Sequence, residues 1–341
     1  MIRPPKREPD FRNLELVLEK KKPQRPTLFE LFVCDEIIEK VSGRHLAGKN
    51  KLEKDVALIE TYDSLGYDYS LIMPTEFAFI ANNKLEKKSF SLNDGAVITD
   101  RKSFDQYNWP SAGDYDYTYV DKLAEYLPKG MEFLAWSSDG PLESVIKLVG
   151  YENLCYMLYD DETLAADIFE QVGKRTVEDY RQMLENPHIK GVVVGDDWGF
   201  NTQTLLPIEV YRKYLFPWHQ EIVRMAHAGG RYAILHSCGQ YQGVIEDIIQ
   251  HMGYDGRHSY EDNIIPVEKA YEDLYPDIAV LGGIDVHFLS VASPHEIGRR
   301  SEEMLERTFS RGGYALGSGN RSNYICRDET ACFSNLLARR M

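Results

Sequence analysis

No glycine-rich phosphate turn occurs in this chain: its 341 residues contain neither a GxGxxG fingerprint nor a Walker lysine motif. A doubly wound nucleotide-binding sheet usually carries such a turn after an early strand, so that architecture is disfavoured. No apolar run approaches the about 20 residues that a membrane helix needs. Basic residues are scarce, 39 Lys and Arg against 54 Asp and Glu, for a formal charge of −15. A chain this acidic argues against nucleic acid or an anionic membrane surface as its main partner. Cysteine is sparse too. Cys34, Cys155, Cys238, Cys326 and Cys332 form no CxxC and no regular framework. An odd, scattered set suits a reducing cytosol rather than a disulfide-stapled fold. Residues 1–26 are charged and Pro-rich and lack the apolar stretch of a secretory signal.

What is present is a large apolar fraction, 43%, in a chain too long for one comfortable open core. Two domains, or one closed α/β barrel, satisfy that length. The apolar pattern favours the second. Residues 1–26 read as an N-terminal arm with one short helix near 13–18. Strand-like runs then recur at 27–32, 69–73, 131–136, 191–194, 232–235, 255–259, 278–282 and 314–317, and most are followed by a helical pattern. Asn93-Asp94-Gly95 signals a hairpin within 90–99. A helical stretch over 207–228 is interrupted near Pro217, and a last helix is expected over 329–340. Eight strands alternating with helices are the count of a single (β/α)8 TIM barrel, here spanning 27–341.

In such a barrel the active site lies at the C-terminal ends of the strands. Those ends read Thr75-Glu76, Asp139, Asp196-Asp197, His236-x-Cys238, 258–262, Asp285 and 318–320. Asp139, Asp262 and Asp285 read as caps of the following helices, since Asp is a preferred cap. Glu76 and Asp197 suit either a structural or a functional role. His236 and Cys238 stand apart. Their i, i+2 spacing puts both side chains on one face of a strand, and an imidazole with a thiolate is a donor pair that zinc prefers. Gly239 follows and lets the chain turn.

Several short segments, in this order and spacing, resemble the uroporphyrinogen decarboxylase superfamily. They are Asp139-Gly-Pro141 with Gly150-Tyr-Glu-Asn153, Gly195-Asp-Asp197, Pro207-Ile-Glu-Val-Tyr-Arg-Lys-Tyr-Leu-Phe-Pro217, His236-Ser-Cys-Gly239, Leu281-Gly-Gly-Ile-Asp285 and Leu316-Gly-Ser-Gly319. The resemblance is to the cobalamin-dependent branch that includes methylcobamide:coenzyme M methyltransferases. The decarboxylases carry Arg-Gln-Ala-Gly-Arg-Tyr, Phe-Ser-Asp and Gly-His-Gly segments. The matching stretches here are Arg25-Pro-Thr-Leu-Phe-Glu-Leu31, Ile72-Met-Pro-Thr-Glu76 and Gly317-Ser-Gly319, which makes porphyrinogen decarboxylation an unexpected chemistry.

The resemblance implies a cytoplasmic, zinc-dependent methyltransferase of corrinoid metabolism. Its methyl group would move between a methylcobamide, carried by a partner corrinoid protein, and a small-molecule donor or acceptor. His236 and Cys238 match two zinc ligands. The family's second cysteine is replaced by Ser318, so the third ligand is open. Glu76 is the nearest candidate, Cys326 requires a loop folding back, and Cys332 reads as core of the last helix. Glu76 and Asp197 are the candidate catalytic residues, and Asp196, Trp198, Glu261 and Ser318 the candidate substrate contacts. Two other readings fit the same barrel: a decarboxylase-like enzyme on another carboxylated substrate, and a non-catalytic tetrapyrrole- or corrinoid-binding protein.

Overall fold

The computed structural model describes residues 7–81, 92–93 and 95–320. Its centre is a seven-stranded sheet, β1 (Tyr69–Ile72), β2 (Glu132–Trp136), β3 (Ile189–Gly195), β4 (Tyr232–His236), β5 (Gly256–His258), β6 (Ala279–Leu281) and β7 (Tyr314–Ala315). Every neighbouring pair is parallel, and spatial order follows chain order. The strand sequences show why. Val192, Val193 and Val194 are all fully buried, the near-continuous apolar run of a parallel strand covered on both faces. Helices return the chain between strands, and their ends carry local signals. Lys51–Leu65 starts at a capping box of Asn50 with Glu53 and stops at Gly66. Pro294–Thr308 starts at Ser293 with Glu296, as its sequence predicts. The interruption expected near Pro217 is a wide turn over Tyr211–Leu215, just ahead of the helix Phe216–Ala228. Proline cannot donate to the preceding turn, and its ring crowds the carbonyl four residues back.

Seven of the eight expected strands form. The first, 27–32, is reduced to a single parallel bridge of Leu28 with Leu316. Phe29 N–H donates to Leu316 O (2.8 Å), and Leu316 N–H donates to Thr27 O (2.8 Å). Towards β1, tyrosine hydroxyls take the place of a backbone ladder. Glu30 N–H donates to Tyr69 Oη (2.7 Å), and the Tyr69 and Tyr62 hydroxyls donate to Glu30 O (2.5 and 3.1 Å). The segment is therefore bonded to the chain after β7 and to Tyr69 of β1 by mixed backbone and side-chain bonds. The hairpin expected within 90–99 falls partly outside the described residues. From Gly95 to Thr99 there is no strand; Val97 and Ile98 donate instead to Leu148 O. The helix expected over 329–340, with Cys326 and Cys332, lies outside the described residues.

The N-terminal arm belongs to the core. Its helix Arg12–Leu18 buries Leu14, Val17 and Leu18. Leu18 packs under the start of β5, where a Cβ on Gly256 would lie 2.9 Å from Leu18 Cδ2. Phe11 N–H donates to Gly130 O (2.9 Å), just before β2, and Arg25 pairs with buried Asp68, just before β1. The arm thus covers the N-terminal ends of the strands, opposite the face where His236 and Asp196 lie. Leu18→Ala should cost about 2–4 kcal/mol, the range for a fully buried leucine whose cavity cannot collapse. Urea unfolding measures it, and a loss below about 1 kcal/mol would show that the arm is not part of the core.

Glu30 carries an unusual carboxyl. It is 1% exposed, its Oε1 accepts from Ser318 Oγ (2.7 Å), and its Oε2 accepts from Ser318 N–H (3.3 Å). Burial pushes it up from 4.5 to about 7, partly offset by those Ser318 bonds. The folded chain therefore retains a proton that the unfolded chain has lost. The associated stability is fully present below about pH 4.5 and is lost as pH rises through about 7. That loss is on the order of 3 kcal/mol. Glu30→Gln should remove this part of the pH dependence. The difference between wild type and variant, measured by urea unfolding at about pH 5 and about pH 8, should change by that amount, and no change would refute the assignment.

Candidate metal centre

β3 and β4 are adjacent and in register, Gly195 beside His236, so the residues that follow each strand meet at one end of the sheet. There Asp197, His236 and Cys238 place one ligand atom each within 4.8 Å of one another, the one such cluster among the described residues. Cys238 Sγ is 3.7 Å from His236 Nε2, and Cys238 N–H donates to Asp197 Oδ1 (2.8 Å). Gly239 makes this turn possible. Its φ is +85°, and a Cβ there would lie 2.0 Å from Gly199 O. The Asn320 amide reaches the same sulfur, with Nδ2 at 3.3 Å.

The tautomer of His236 follows from its neighbours. His236 and His258 are register partners on β4 and β5, so their rings lie side by side, stacked at 4.9 Å with their Nδ1 atoms 2.7 Å apart. His258 Nε2 is 3.0 Å from the Ser318 backbone carbonyl, which can only accept. His258 Nε2 therefore holds a proton. Burial, and then His236, hold the His258 pKa well below its ordinary value. A neutral His258 protonated on Nε2 offers Nδ1 as an acceptor. His236 must then carry its proton on Nδ1, which leaves its Nε2, the atom facing Cys238, as a lone pair. A second ring or carbonyl behind a ligating histidine commonly sets its tautomer and aim in this way.

The centre is rich in negative charge. Burial, and then Asp197, push the Cys238 thiol well above its ordinary value. Burial pushes Glu143 well up as well, followed by Asp197, Asp196 and Asp139. A bound cation reverses such shifts and favours the thiolate. Imidazole nitrogen, thiolate and carboxylate are all accepted zinc ligands, and three of them leave a fourth position for a reactant. The donor set therefore fits a zinc ion.

The other residues expected at the site divide. Glu76 follows β1 at the same end of the sheet, but it is exposed, lies outside the ligand cluster, and lines a separate hollow of about 560 Å³ with Lys49, Lys51 and Lys54. Asp197, read from sequence as a candidate catalytic residue, falls in the ligand cluster because it leaves the strand next to His236. Asp196 and Trp198, expected at the mouth, are buried beneath it. Asp196 accepts from Leu142 N–H (3.2 Å), Glu143 N–H (3.0 Å), Trp198 Nε1–H (2.9 Å) and His219 Nε2–H (3.0 Å). It caps the helix Pro141–Val149 from a neighbouring strand. Ser318 is also buried, its hydroxyl taken by Glu30.

Glu261 lines a cavity of about 830 Å³ with Asp285, Phe288 and Asn320, which borders the centre through Asn320. Burial raises its carboxyl, against an opposing bond from Gly239. Asp285 caps Val286–Val291, as expected. Asp139 and Asp262 do not cap; they pair with Lys147 and Arg300. Glu30, Glu143, Arg257 and His258 were not assigned roles from sequence. His258 had a usable signal, since it ends β5 as His236 ends β4.

No protein-family model and no curated protein matches the chain. Solved structures do. A methyltransferase from Methanosarcina mazei superposes with a TM-score of 0.70 at 14% identity, over 96% of this chain and 97% of that one. A B12-independent methionine synthase from Shewanella sp. W3-18-1 overlaps at a TM-score of 0.45 and 11% identity, over 65% of this chain and 63% of that one, too loosely to carry an argument. The chain therefore shares the fold of the Methanosarcina methyltransferase over almost its whole length.

Proposed function

We propose that this chain is a zinc-dependent methyltransferase in which His236, Cys238 and Asp197 hold the metal. The convergence of those three ligand atoms within 4.8 Å carries the reading. The shared fold with a methyltransferase and the resemblance of the His236-Ser-Cys-Gly239 segment support it. On the same reading the curled sheet works as a barrel closed by residues 27–30, the protein is cytoplasmic, and the methyl group travels to or from a methylcobamide on a partner corrinoid protein.

Held by His236, Cys238 and Asp197, a zinc ion would lower the pKa of a bound thiol and so favour its thiolate. The chain's own residues prepare that chemistry. His258 fixes the His236 tautomer and aims Nε2 at the centre. Asp197 braces the Cys238 N–H, which ties the loops after β3 and β4 into one unit. Trp136, 7% exposed, stands 5.5 Å from the His236 ring and gives it an apolar neighbour. Glu143, its carboxyl pushed up by burial and then by Asp197, is the candidate to exchange a proton with a reactant. The cavity lined by Glu261 and Asn320 has room for a small donor or acceptor.

Purified protein should contain about one zinc per chain. His236→Ala, Cys238→Ala and Asp197→Asn should each lose it, while Glu76→Gln should keep it. Elemental analysis decides: metal-free wild type after growth in zinc, or an Asp197→Asn that retains full zinc, would overturn the ligand set. Uroporphyrinogen should not be converted, because the decarboxylase segments are missing and Ser318 is engaged by Glu30. Coproporphyrinogen formed well above background in an anaerobic assay would restore the decarboxylase reading.

A further inference from the structure

Arg257 is the side chain that neither the fold nor the proposed chemistry explains. It sits on β5 between Gly256 and His258, paired in register with Leu235 and Val280, where a parallel strand ordinarily carries an apolar residue. It is fully buried. No carboxylate lies within ion-pair distance of it among the described residues, although its charge opposes the rise of the Glu261 carboxyl, and its Nε–H has no hydrogen-bond partner. Placing a cation there is expensive unless something specific is gained.

What it touches is informative. Nη1 donates to Ser259 O (2.5 Å) and Nη2 donates to Ser237 O (3.0 Å). Ser237 lies between the ligands His236 and Cys238. Ser259 follows His258, which sets the tautomer of His236, and Ser259 Oγ also reaches Cys238 Sγ (3.7 Å). The guanidinium lies 3.7 Å from the Tyr241 ring centroid and 5.0 Å from that of Tyr260. Those tyrosines come from the loops that follow β4 and β5. One rigid, planar cation thus joins both loops by two carbonyls and two ring faces. A lysine has the charge but not the fork, and a methionine has neither.

We infer that Arg257 is a positioning residue of the metal centre, the clamp that holds the His236–Cys238 loop in register with the His258–Ser259 turn. The inference rests on the metal reading above for its consequence, although the clamp itself needs no metal. Its loss should let the two loops drift apart, loosening the His236–His258 contact and spreading the ligand atoms. Ser259 O would lose its Arg257 donor, and Ser237 O would keep only the 3.4 Å bond from Ser259 N–H.

The test uses the full-length chain with Arg257→Met, Arg257→Lys and, as a distant control, Leu18→Ala. Two readouts are taken at a temperature where all variants are folded. The first is metal-free: two-bond 1H–15N correlation of the imidazoles, which reports whether His236 carries its proton on Nδ1 and His258 on Nε2. The second is titration with cobalt(II), followed by its thiolate charge-transfer band.

Arg257→Met should lose the single-tautomer histidine pattern and bind cobalt at least about 10-fold more weakly, the scale of outer-shell changes. Arg257→Lys should fall between it and wild type. Leu18→Ala should lose stability with both readouts unchanged. Should Arg257→Met not fold, Arg257→Lys together with Tyr241→Leu replaces it, with both expected to shift the histidine pattern in the same direction. Unchanged histidine tautomers and cobalt affinity in folded Arg257 variants would overturn the clamp. Wild type that binds no cobalt, yet shows the tautomer pair disturbed by Arg257→Met, would sink the metal reading and leave the clamp standing.

Discussion

Four hydrogen bonds converge on one buried carboxylate. Asp196 leaves the end of β3 and binds two backbone N–H groups at the start of Pro141–Val149, the indole of Trp198 and the imidazole of His219. The charge is tolerable with no exposure because so many donors meet it, two of them at a helix N-terminus. His219 in turn meets the Tyr254 hydroxyl just before β5 (2.8 Å). Through Asp196, helices from different parts of the chain are bound to the strand that carries Asp197. The contact is so close that residue 140 must be glycine: a Cβ would lie 2.2 Å from Gly195 O and 2.3 Å from Asp196 Cβ. Asp197 is held where it can serve as a ligand because its predecessor is anchored below it.

Above this anchor the candidate metal centre follows from strand register. Gly195, His236 and His258 are partners across β3, β4 and β5. Ladder bonds then continue one residue past each strand, Asp196 N–H to His236 O (2.9 Å) and Ser237 N–H to His258 O (2.8 Å). The chain stays ordered up to the ligands and turns away only after them. The ordered carbonyl of Ser318 orients His258, His258 orients His236, and the last nitrogen in that series faces the thiol. Direction in the site is thus inherited from a backbone carbonyl.

Much of this was legible beforehand. Apolar runs of strand length bounded by Gly, Pro and Asp marked six of the seven sheet strands, because a parallel strand buried on both faces has little freedom in composition; β5, Gly256–His258, has no such run. Capping residues marked helix starts for an equally local reason. The eighth strand was over-read. Residues 27–32 have the pattern, but Glu30 and the hydroxyls of Tyr62 and Tyr69 replace a ladder by side-chain bonds, and nothing local in the pattern distinguishes the two. The His-x-Cys pair was visible from spacing. Its third partner was not, since Glu76 and Asp197 are equivalent as acids at strand ends.

The sequence by itself determined the alternating α/β order, the placement of polar residues at the C-terminal ends of strands, and the His236–Cys238 pair, because each depends on short-range periodicity. Only the tertiary structure decided which acid joins that pair, that Asp196 and Trp198 lie beneath the mouth, that Ser318 serves Glu30, and that Arg257 spans two loops. Those choices depend on which strands are neighbours and how they are staggered. Residues 41 apart in the chain, Asp197 and Cys238, meet within hydrogen-bonding distance, and no local pattern encodes that distance.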